Sequence, residues 1–515
     1  MESLRTSRLA AIGVVLIGLS GLVVALQGWQ ARGPDSDVVG AIVRAVALVD
    51  RGHIPQRGTL TDNNSFRPPG TSWLAVPGVL MFSDPRLVAL AGSTALYLGT
   101  LAGVFALGRY YFGTSVALFA TLLYAFSAVP LDLAGNLLPR GHPFFCTWMV
   151  YCAARWVDAR RGGWLAAACL LWATGMYVHM EMAPLLLVLP VLWWRYRPPV
   201  NWWALGAAAA VALVMWSPYL AFERDRGFMD LQSQLLLRHL ERHSVEQVEW
   251  CGDAPEPNPQ FVVETTPWAP RAMVARVPAM ADLIVWNLES RVLGGEFILL
   301  ALLGGALLTA GAFRGRPRRE APSPALGSPA VGAATLVAIA IVVSEFALRW
   351  IAPPASGLSD VLLGARHFYV WLIVLAVLWL ALDGRFEPIA AGFRRSWRRD
   401  RDARVLVIAF LVPATILVLL TVDLNRMLGI WPLQVLLLAA FVDGYRRCQP
   451  ASSWRGWALA LLVTAVIMAN LVALSRIRGW ISDGWSGRAP DRIEASGFRF
   501  VVCEDEVVHG PGGVH

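Results

Sequence analysis

Lysine is missing from this chain of 515 residues, so all 44 of its basic residues are arginine. The sequence patterns of a P-loop, a CxxC pair, an HExxH zinc helix and a GxSxG nucleophile elbow are also missing. These absences remove the usual sequence evidence for P-loop nucleotide hydrolysis, thiol redox chemistry, zinc peptidases and serine hydrolases. The formal net charge of +8 does not indicate nucleic-acid binding, because the arginines cluster in short loops between apolar blocks.

Hydrophobic residues make up 56% of the sequence, and the mean hydropathy is +0.53. They occur in blocks of about 17 to 23 residues, the length that crosses the hydrocarbon core of a bilayer. We therefore predict an all-α polytopic membrane protein, with a transmembrane domain over residues 1–475 and a tail over 476–515. The predicted spans, about 13 in number, are 9–29, 86–107, 115–131, 142–157, 163–180, 183–194, 202–220, 291–312, 331–351, 366–383, 404–422, 427–443 and 456–474.

Two of these blocks allow two interpretations. Arg5 and Arg8 precede the first block, Leu9–Trp29, as they would precede the core of a secretory signal peptide. No A-x-A-like cleavage site follows it, however, and many similar blocks come later, so an uncleaved anchor is the preferred interpretation. The block at 183–194 is short, and it either spans alone or forms a broken pair with the block before it.

The arginines predict the orientation of the chain, because short basic loops stay on the cytoplasmic side. The basic set comprises Arg5, Arg8, Arg109, Arg155, Arg160, Arg161, Arg195, Arg197, Arg314, Arg316, Arg318, Arg319, the arginines of 394–401, Arg446, Arg447 and Arg455. The opposite set contains the long loops 30–85 and 221–290 and the tail. We predict a multi-pass protein of the bacterial inner membrane with a cytoplasmic N-terminus and a periplasmic C-terminus. Functional groups often lie on loops, so the chemistry is expected on the outer face.

The first outer loop carries the most informative sequence. Residues 38–50 place Val38, Ile42, Ala45 and Val46 on one helical face, which predicts an amphipathic helix lying on the membrane. Residues 71–82 are too short to span and are expected to form a second such helix. Between them, in the stretch DNNSFRPPGTSW, two prolines fix the backbone ahead of a glycine that allows a sharp turn.

In the first outer loop, Pro34-Asp35-Ser36-Asp37 comes before the first surface helix, and Arg67-Pro68-Pro69-Gly70 comes before the second. In the order of these motifs, the loop resembles the GT-C superfamily of membrane glycosyltransferases. Within it, the loop is most similar to bacterial relatives of protein O-mannosyltransferases and of the aminoarabinose transferase that modifies lipid A, of the family 39/83 type. The motifs support the resemblance over residues 33–112, and the layout of spans extends it to most of the chain. It implies transfer of a sugar from a polyprenyl-phosphate-linked donor to a lipid, glycan or protein acceptor at the periplasmic membrane face.

The resemblance also implies roles for the loop residues. Asp35 would orient or deprotonate the acceptor as general base, whereas two solvated loop acids are the plainer interpretation of Asp35 and Asp37. The pair could instead hold a divalent cation such as Mg²⁺ or Mn²⁺, although no cofactor is certain. Arg67 would clamp the donor phosphate bidentately at the membrane boundary, or else serve only as a snorkelling arginine at a loop-to-helix turn.

Other candidates lie at the outer ends of later spans. The acid that relatives often carry in the second outer loop is missing here, and Arg140 and His142 stand in its place, to contact phosphate or to cap the next helix. Glu181 is expected to line a polar cavity, because an acid between apolar blocks is costly elsewhere. His179 is interpreted as an interfacial histidine. Either Arg366 or Arg426 is expected to meet the donor phosphate.

Alternative functions remain open at the level of sequence. A lipid-linked oligosaccharide polymerase or ligase shares the carrier and the long outer loop, but lacks the early Asp and the Arg-Pro-Pro-Gly loop. A transporter is less favoured, because no internal repeat is visible and the polar groups gather at one face. A structural scaffold leaves the outer-face arginines unexplained. Nothing in the sequence indicates a nucleic-acid partner.

Of the six cysteines, Cys251 and Cys503 fall in the oxidising compartment under the predicted topology. A bridge between them would tie the tail to the long outer loop over the mouth of the site. Two unpaired thiols are the alternative, since tails are often poorly ordered.

Overall fold

The computed structural model describes residues 12–22, 36–59, 65–125, 141–236, 402–420, 429–447, 499–503 and 506–510. This part of the chain is predominantly helical, as predicted. Its helices are α1 Ile12–Leu22, α2 Ser36–Arg51, α3 Gly70–Met81, α4 Pro85–Tyr111, α5 Thr114–Ala125, α6 His142–Ala159, α7 Gly163–Val178, the 3₁₀ helix η1 Met180–Leu187, α8 Val188–Tyr196, α9 Trp202–Asp225, α10 Met229–Leu236, α11 Arg404–Leu420 and α12 Trp431–Arg447. Two strands, β1 Arg499–Cys503 and β2 Glu506–Gly510, form an antiparallel hairpin in the tail.

Every predicted span that falls within the described residues contains a helix. The spans predicted at 291–312, 331–351, 366–383 and 456–474 lie outside the described residues. In the described part, α4 and α9 are long and apolar enough to cross a membrane by length and composition. The short block after α7 continues as η1 and then α8, so the chain there is a broken helix with its interruption at His179.

Helix α9 presents apolar side chains outward along its length, which suits contact with lipid. Val214 is 73% exposed and Trp203 at its beginning is 91% exposed. Trp194 and Trp202 also lie exposed where α8 ends and α9 begins. Amphipathic aromatic rings favour the boundary between hydrocarbon and water, so this turn has the character of an interfacial belt.

The core of the bundle is formed by α4, α5, α6 and α7 with α11 and α12 against them. Small residues let α4 and α6 approach closely: a Cβ at Gly103 would lie 2.7 Å from the Thr147 methyl. The Thr147 hydroxyl donates to the Pro143 carbonyl within its own helix, so it leaves no buried polar group unsatisfied. Close contact between small residues is the usual basis of helix association inside a membrane.

Helix α2 packs on protein rather than lying on the membrane as predicted. Val38, Ile42 and Ala45 are buried, and they contact Ala75 of α3 and Val88 of α4. The amphipathic pattern was therefore interpreted correctly as a helix, but its apolar face is covered by neighbouring helices. Helix α3 retains the outward apolar surface, with Leu80 67% and Met81 73% exposed.

The hairpin of the tail lies beside α2, through its second strand β2. Its register pairs Arg499 with Gly510 and Cys503 with Glu506. The hairpin and α2 thus lie at the same end of the bundle.

Candidate functional site

Arg67 and Asp37 form an ion pair that joins the two ends of the first outer loop. The Nη1 atom of Arg67 donates to Oδ2 of Asp37 at 3.2 Å, and the two side chains are 22% and 27% exposed. Asp37 lies in the first turn of α2, where the partial positive charge of the helix N-terminus favours a carboxylate. Among the described residues, Nε and Nη2 of Arg67 make no hydrogen bond. The guanidinium can therefore still offer two parallel donors to an anion.

The backbone of Arg67 is fixed by the segment before it. Its amide donates to the Thr59 carbonyl at 3.0 Å, and its carbonyl accepts from the Gly58 amide at 2.6 Å. A Cβ at Gly58 would lie 2.9 Å from the Arg67 carbonyl oxygen, so glycine permits this close pairing. The guanidinium consequently projects from a backbone that is hydrogen-bonded on both sides.

Phe66, the preceding residue, anchors the loop to the outer end of α9 and to α10. Its amide donates to Oδ1 of Asp230 at 3.0 Å, and its carbonyl accepts from the Tyr219 hydroxyl at 3.1 Å. Its ring lies 4.4 Å from the Arg57 guanidinium and meets Phe222 edge-to-face at 5.9 Å. The Phe66 side chain is therefore clamped by aromatic and cationic neighbours while its backbone is fully hydrogen-bonded.

Asp230 is wholly buried and is balanced by a neighbouring guanidinium. Nε of Arg226 donates to Oδ2 of Asp230 at 2.7 Å, one helical turn away. Glu223 is buried beside them, and its Oε2 accepts from the Leu231 amide at 3.0 Å. These contacts fold the start of the long outer loop back onto the end of α9.

Gly70 brings the Arg-Pro-Pro-Gly turn against the end of α7. A Cβ at this position would overlap the Tyr177 carbonyl oxygen and would lie 2.7 Å from the Val178 nitrogen. Any side chain would push the two backbones apart. The glycine is required for this close approach, which places the turn directly before His179 in the neighbouring segment.

His142, His179 and Glu181 converge at the outer ends of α6, α7 and η1. The imidazole rings have centroids 4.5 Å apart with planes inclined by 38°. Oε2 of Glu181 lies 3.6 Å from Nδ1 of His179 and 3.8 Å from Nε2 of His142. The two imidazoles are nearly buried, whereas the Glu181 side chain is 21% exposed. Within the described residues this is a group whose ligand atoms, all within 4.8 Å of one another, could hold a metal ion.

The structure thus brings Asp37 to Arg67, and His142 to Glu181, among the residues predicted from sequence. It does not describe Asp35, Arg140, Arg366, Arg426 or Cys251, which lie outside the described residues. The proposed Cys251–Cys503 bridge therefore stays a prediction. A cation at Asp37 is disfavoured by the guanidinium beside it, so the histidine group is the better candidate for metal binding.

Several residues of the site were not singled out from sequence. His179 was interpreted as an interfacial residue, yet it is buried against His142. Asp230 and Arg226 have a visible signal, the i,i+4 spacing of an acid and a base just after a span. Nothing in that spacing shows that Asp230 also receives the amide of Phe66.

The fold and the site describe a helical membrane protein whose charged groups gather where several helices end. Residues 66–222 match the family model of dolichyl-phosphate-mannose-protein mannosyltransferases. This match, over less than a third of the chain, confirms the predicted resemblance to protein mannosyltransferases. The matched segment contains Arg67, His142, His179 and Glu181.

Similarity to known structures and sequences is otherwise sparse. A solved structure that is similar to this chain is that of ArnT from Cupriavidus metallidurans in the apo state, with 18% sequence identity and a TM-score of 0.36. The alignment covers 85% of this chain and 78% of that one. No curated protein gives a significant match.

Proposed function

We propose that the chain transfers a sugar from a polyprenyl-phosphate carrier to an acceptor at the periplasmic face of the bacterial inner membrane. The observation that carries this proposal is the ion pair of Arg67 with Asp37 in a loop held against the ends of α7 and α9. A pre-positioned guanidinium whose Nε and Nη2 make no hydrogen bond to the described residues suits the phosphate of a lipid carrier, which lies at the membrane boundary. The matching family is that of dolichyl-phosphate-mannose-protein mannosyltransferases, whose name indicates the same donor class.

The reaction would break the bond between the anomeric carbon and the phosphate oxygen and form a bond from that carbon to the acceptor atom. Asp35 would accept the acceptor's proton, since an acceptor hydroxyl is a weak nucleophile until a base lies within hydrogen-bond reach. The leaving group is the polyprenyl phosphate, whose developing negative charge Arg67 would stabilise. Asp37 would orient the guanidinium rather than contact the sugar.

The orientation of the chain is part of the proposal. The tail hairpin lies beside α2, whereas Arg109 lies in the last turn of α4, Arg160 caps the end of α6 and Arg195 lies in the last turn of α8. Both arrangements support a cytoplasmic N-terminus with the first loop and the tail in the periplasm.

The test uses purified full-length protein in lipid vesicles with a polyprenyl-phosphate-linked radiolabelled sugar. Asp35→Asn should lower turnover by about two to four orders of magnitude, as expected for loss of a general base. Insertion into the membrane should be unchanged. Transfer by Asp35→Asn near the wild-type rate would exclude the proposed role of Asp35, and turnover of a diphosphate-linked oligosaccharide in its place would favour a polymerase or ligase.

A further inference from the structure

We propose that His142, His179 and Glu181 bind a divalent transition-metal ion, with zinc as the ion that the ligands fit best. The three side chains come from separate elements: the first residue of α6, the break between α7 and η1, and the first turn of η1. An ion held by all three would fasten α6 to the broken helix at the outer end of the bundle. The inference goes beyond the proposed transferase activity and does not depend on it.

The distances match a shared ion better than direct pairing. Ligand atoms of a tetrahedral zinc ion lie about 3.3 Å apart, because each bond is about 2.0 to 2.2 Å long. The observed separations from Glu181 Oε2 to the two imidazole nitrogens are 3.6 and 3.8 Å. Both exceed the length of a hydrogen bond. A contraction of a few tenths of an ångström on each side of Glu181, with a larger approach of the two imidazole nitrogens, which lie within 4.8 Å of each other, would reach coordination distance.

The chemistry of the ligands selects the class of ion. Imidazole nitrogen suits zinc, iron, nickel and copper, whereas magnesium and calcium prefer sites made of oxygen. Two histidines with one glutamate leave a fourth position open, as in zinc sites that exchange a water or a substrate. The partly exposed Glu181 gives an ion a route from solvent to the two buried imidazoles.

The surroundings hold one of the imidazoles in place. A Cβ at Gly429 would lie 2.8 Å from Cδ2 of His142, so the chain before α12 packs directly on the ring. The His179 ring packs on the same imidazole from another side. Packing that fixes the orientation of a histidine lowers the cost of bringing its nitrogen to a metal.

The proposal is tested on full-length protein purified in detergent without added metal. Metal content is measured by plasma mass spectrometry, and zinc chloride is then titrated while thermal unfolding is followed. The wild type should carry or take up close to one zinc ion per chain, and its Tm should fall on chelation and rise again with zinc. Glu181→Gln keeps the shape of the side chain and should weaken zinc binding by more than about 10-fold. His142→Ala should weaken it further.

The matched control is His53→Ala, which removes a histidine of the first outer loop away from the group. It should bind zinc like the wild type. If the wild type takes up no zinc, or if Glu181→Gln binds it as tightly as the wild type, the metal site is excluded and the group is an imidazole–carboxylate pair. Metal content does not measure sugar transfer, so this result and the result for Asp35 can fail independently.

Discussion

Arg67 reaches back across 30 residues of sequence to Asp37 and holds it at 3.2 Å. The pair closes the first outer loop, with α2 and α3 on either side of it. Because the guanidinium binds the carboxylate through one terminal nitrogen, its other nitrogens make no hydrogen bond to the residues that the structure describes. This combination of orientation and spare donors leads to the first two predictions.

Arg67→Lys should weaken donor binding although the charge is kept. Lysine lacks the planar fork that binds a phosphate through two parallel hydrogen bonds. Loss of one charge-assisted hydrogen bond, worth about 1.5 to 3 kcal/mol, corresponds to a rise in donor KM of roughly 10- to 100-fold. Transfer kinetics over a range of donor concentrations measure it. Arg86→Lys, an exposed arginine at the start of α4, is the control and should retain the wild-type KM.

Asp37→Asn should separate binding from turnover. The substitution removes a negative charge beside the site, so the donor KM should stay unchanged or fall. The guanidinium keeps at most a hydrogen bond to a neutral amide oxygen and is oriented less firmly, so kcat should fall by about 10-fold. A part-exposed ion pair contributes at most about 1 kcal/mol, so Tm should change little. A rise in donor KM without a fall in kcat would contradict the positioning role.

Gly70→Ala should lower stability and activity together. The added methyl would overlap the Tyr177 carbonyl oxygen and force the Arg-Pro-Pro-Gly turn away from α7. Overpacking of this kind typically costs about 1 to 3 kcal/mol. Thermal unfolding in detergent and a transfer assay measure the two effects. Gly206→Ala in α9, where a Cβ would meet nothing within 4 Å, should be at least as stable as the wild type.

Asp230→Ala should lower the stability of the folded protein strongly, although Asp230 lies far along the chain from Arg67. It leaves Arg226 without its carboxylate and Phe66 without the acceptor of its amide. Removing one partner of a buried pair costs about 3 to 5 kcal/mol. Asp225→Ala breaks an exposed pair with Arg224 and is the control. Equal shifts in Tm for the two variants would contradict the anchoring role of Asp230.

The sequence predicted which end of the molecule carries the site better than it predicted the contacts there. The alternation of short basic loops with long loops predicts that Arg67, His142 and Glu181 lie at one face of the membrane. In the structure, Glu181 lies close to His142, in agreement with this prediction. The helix over α2 was also predictable from its period. The direction of its apolar face was not, because burial against α3 or against lipid has the same pattern.

The remaining contacts of the site join residues that are far apart in sequence, and no local sequence pattern predicts such pairs. The partner of the Phe66 amide lies 164 residues later, in a loop whose own spacing indicates only a local ion pair. The close approach of Gly70 to Tyr177 depends on the position of α3 along α7, which is set by tertiary packing. His179 illustrates the same limit, since a histidine at a helix end has the same local sequence whether it faces lipid or another imidazole.

The hydrogen bond from Phe66 to Asp230 also sets the order in which the protein can be completed during its synthesis. At about 5 to 20 residues per second, the ribosome needs roughly 8 to 33 s to add the 164 residues between donor and acceptor. Throughout that interval Phe66 has already been made while its anchor has not. A nascent chain halted before Asp230 therefore has the loop's contacts with Asp37 and Tyr219 available but lacks the acceptor of the Phe66 amide.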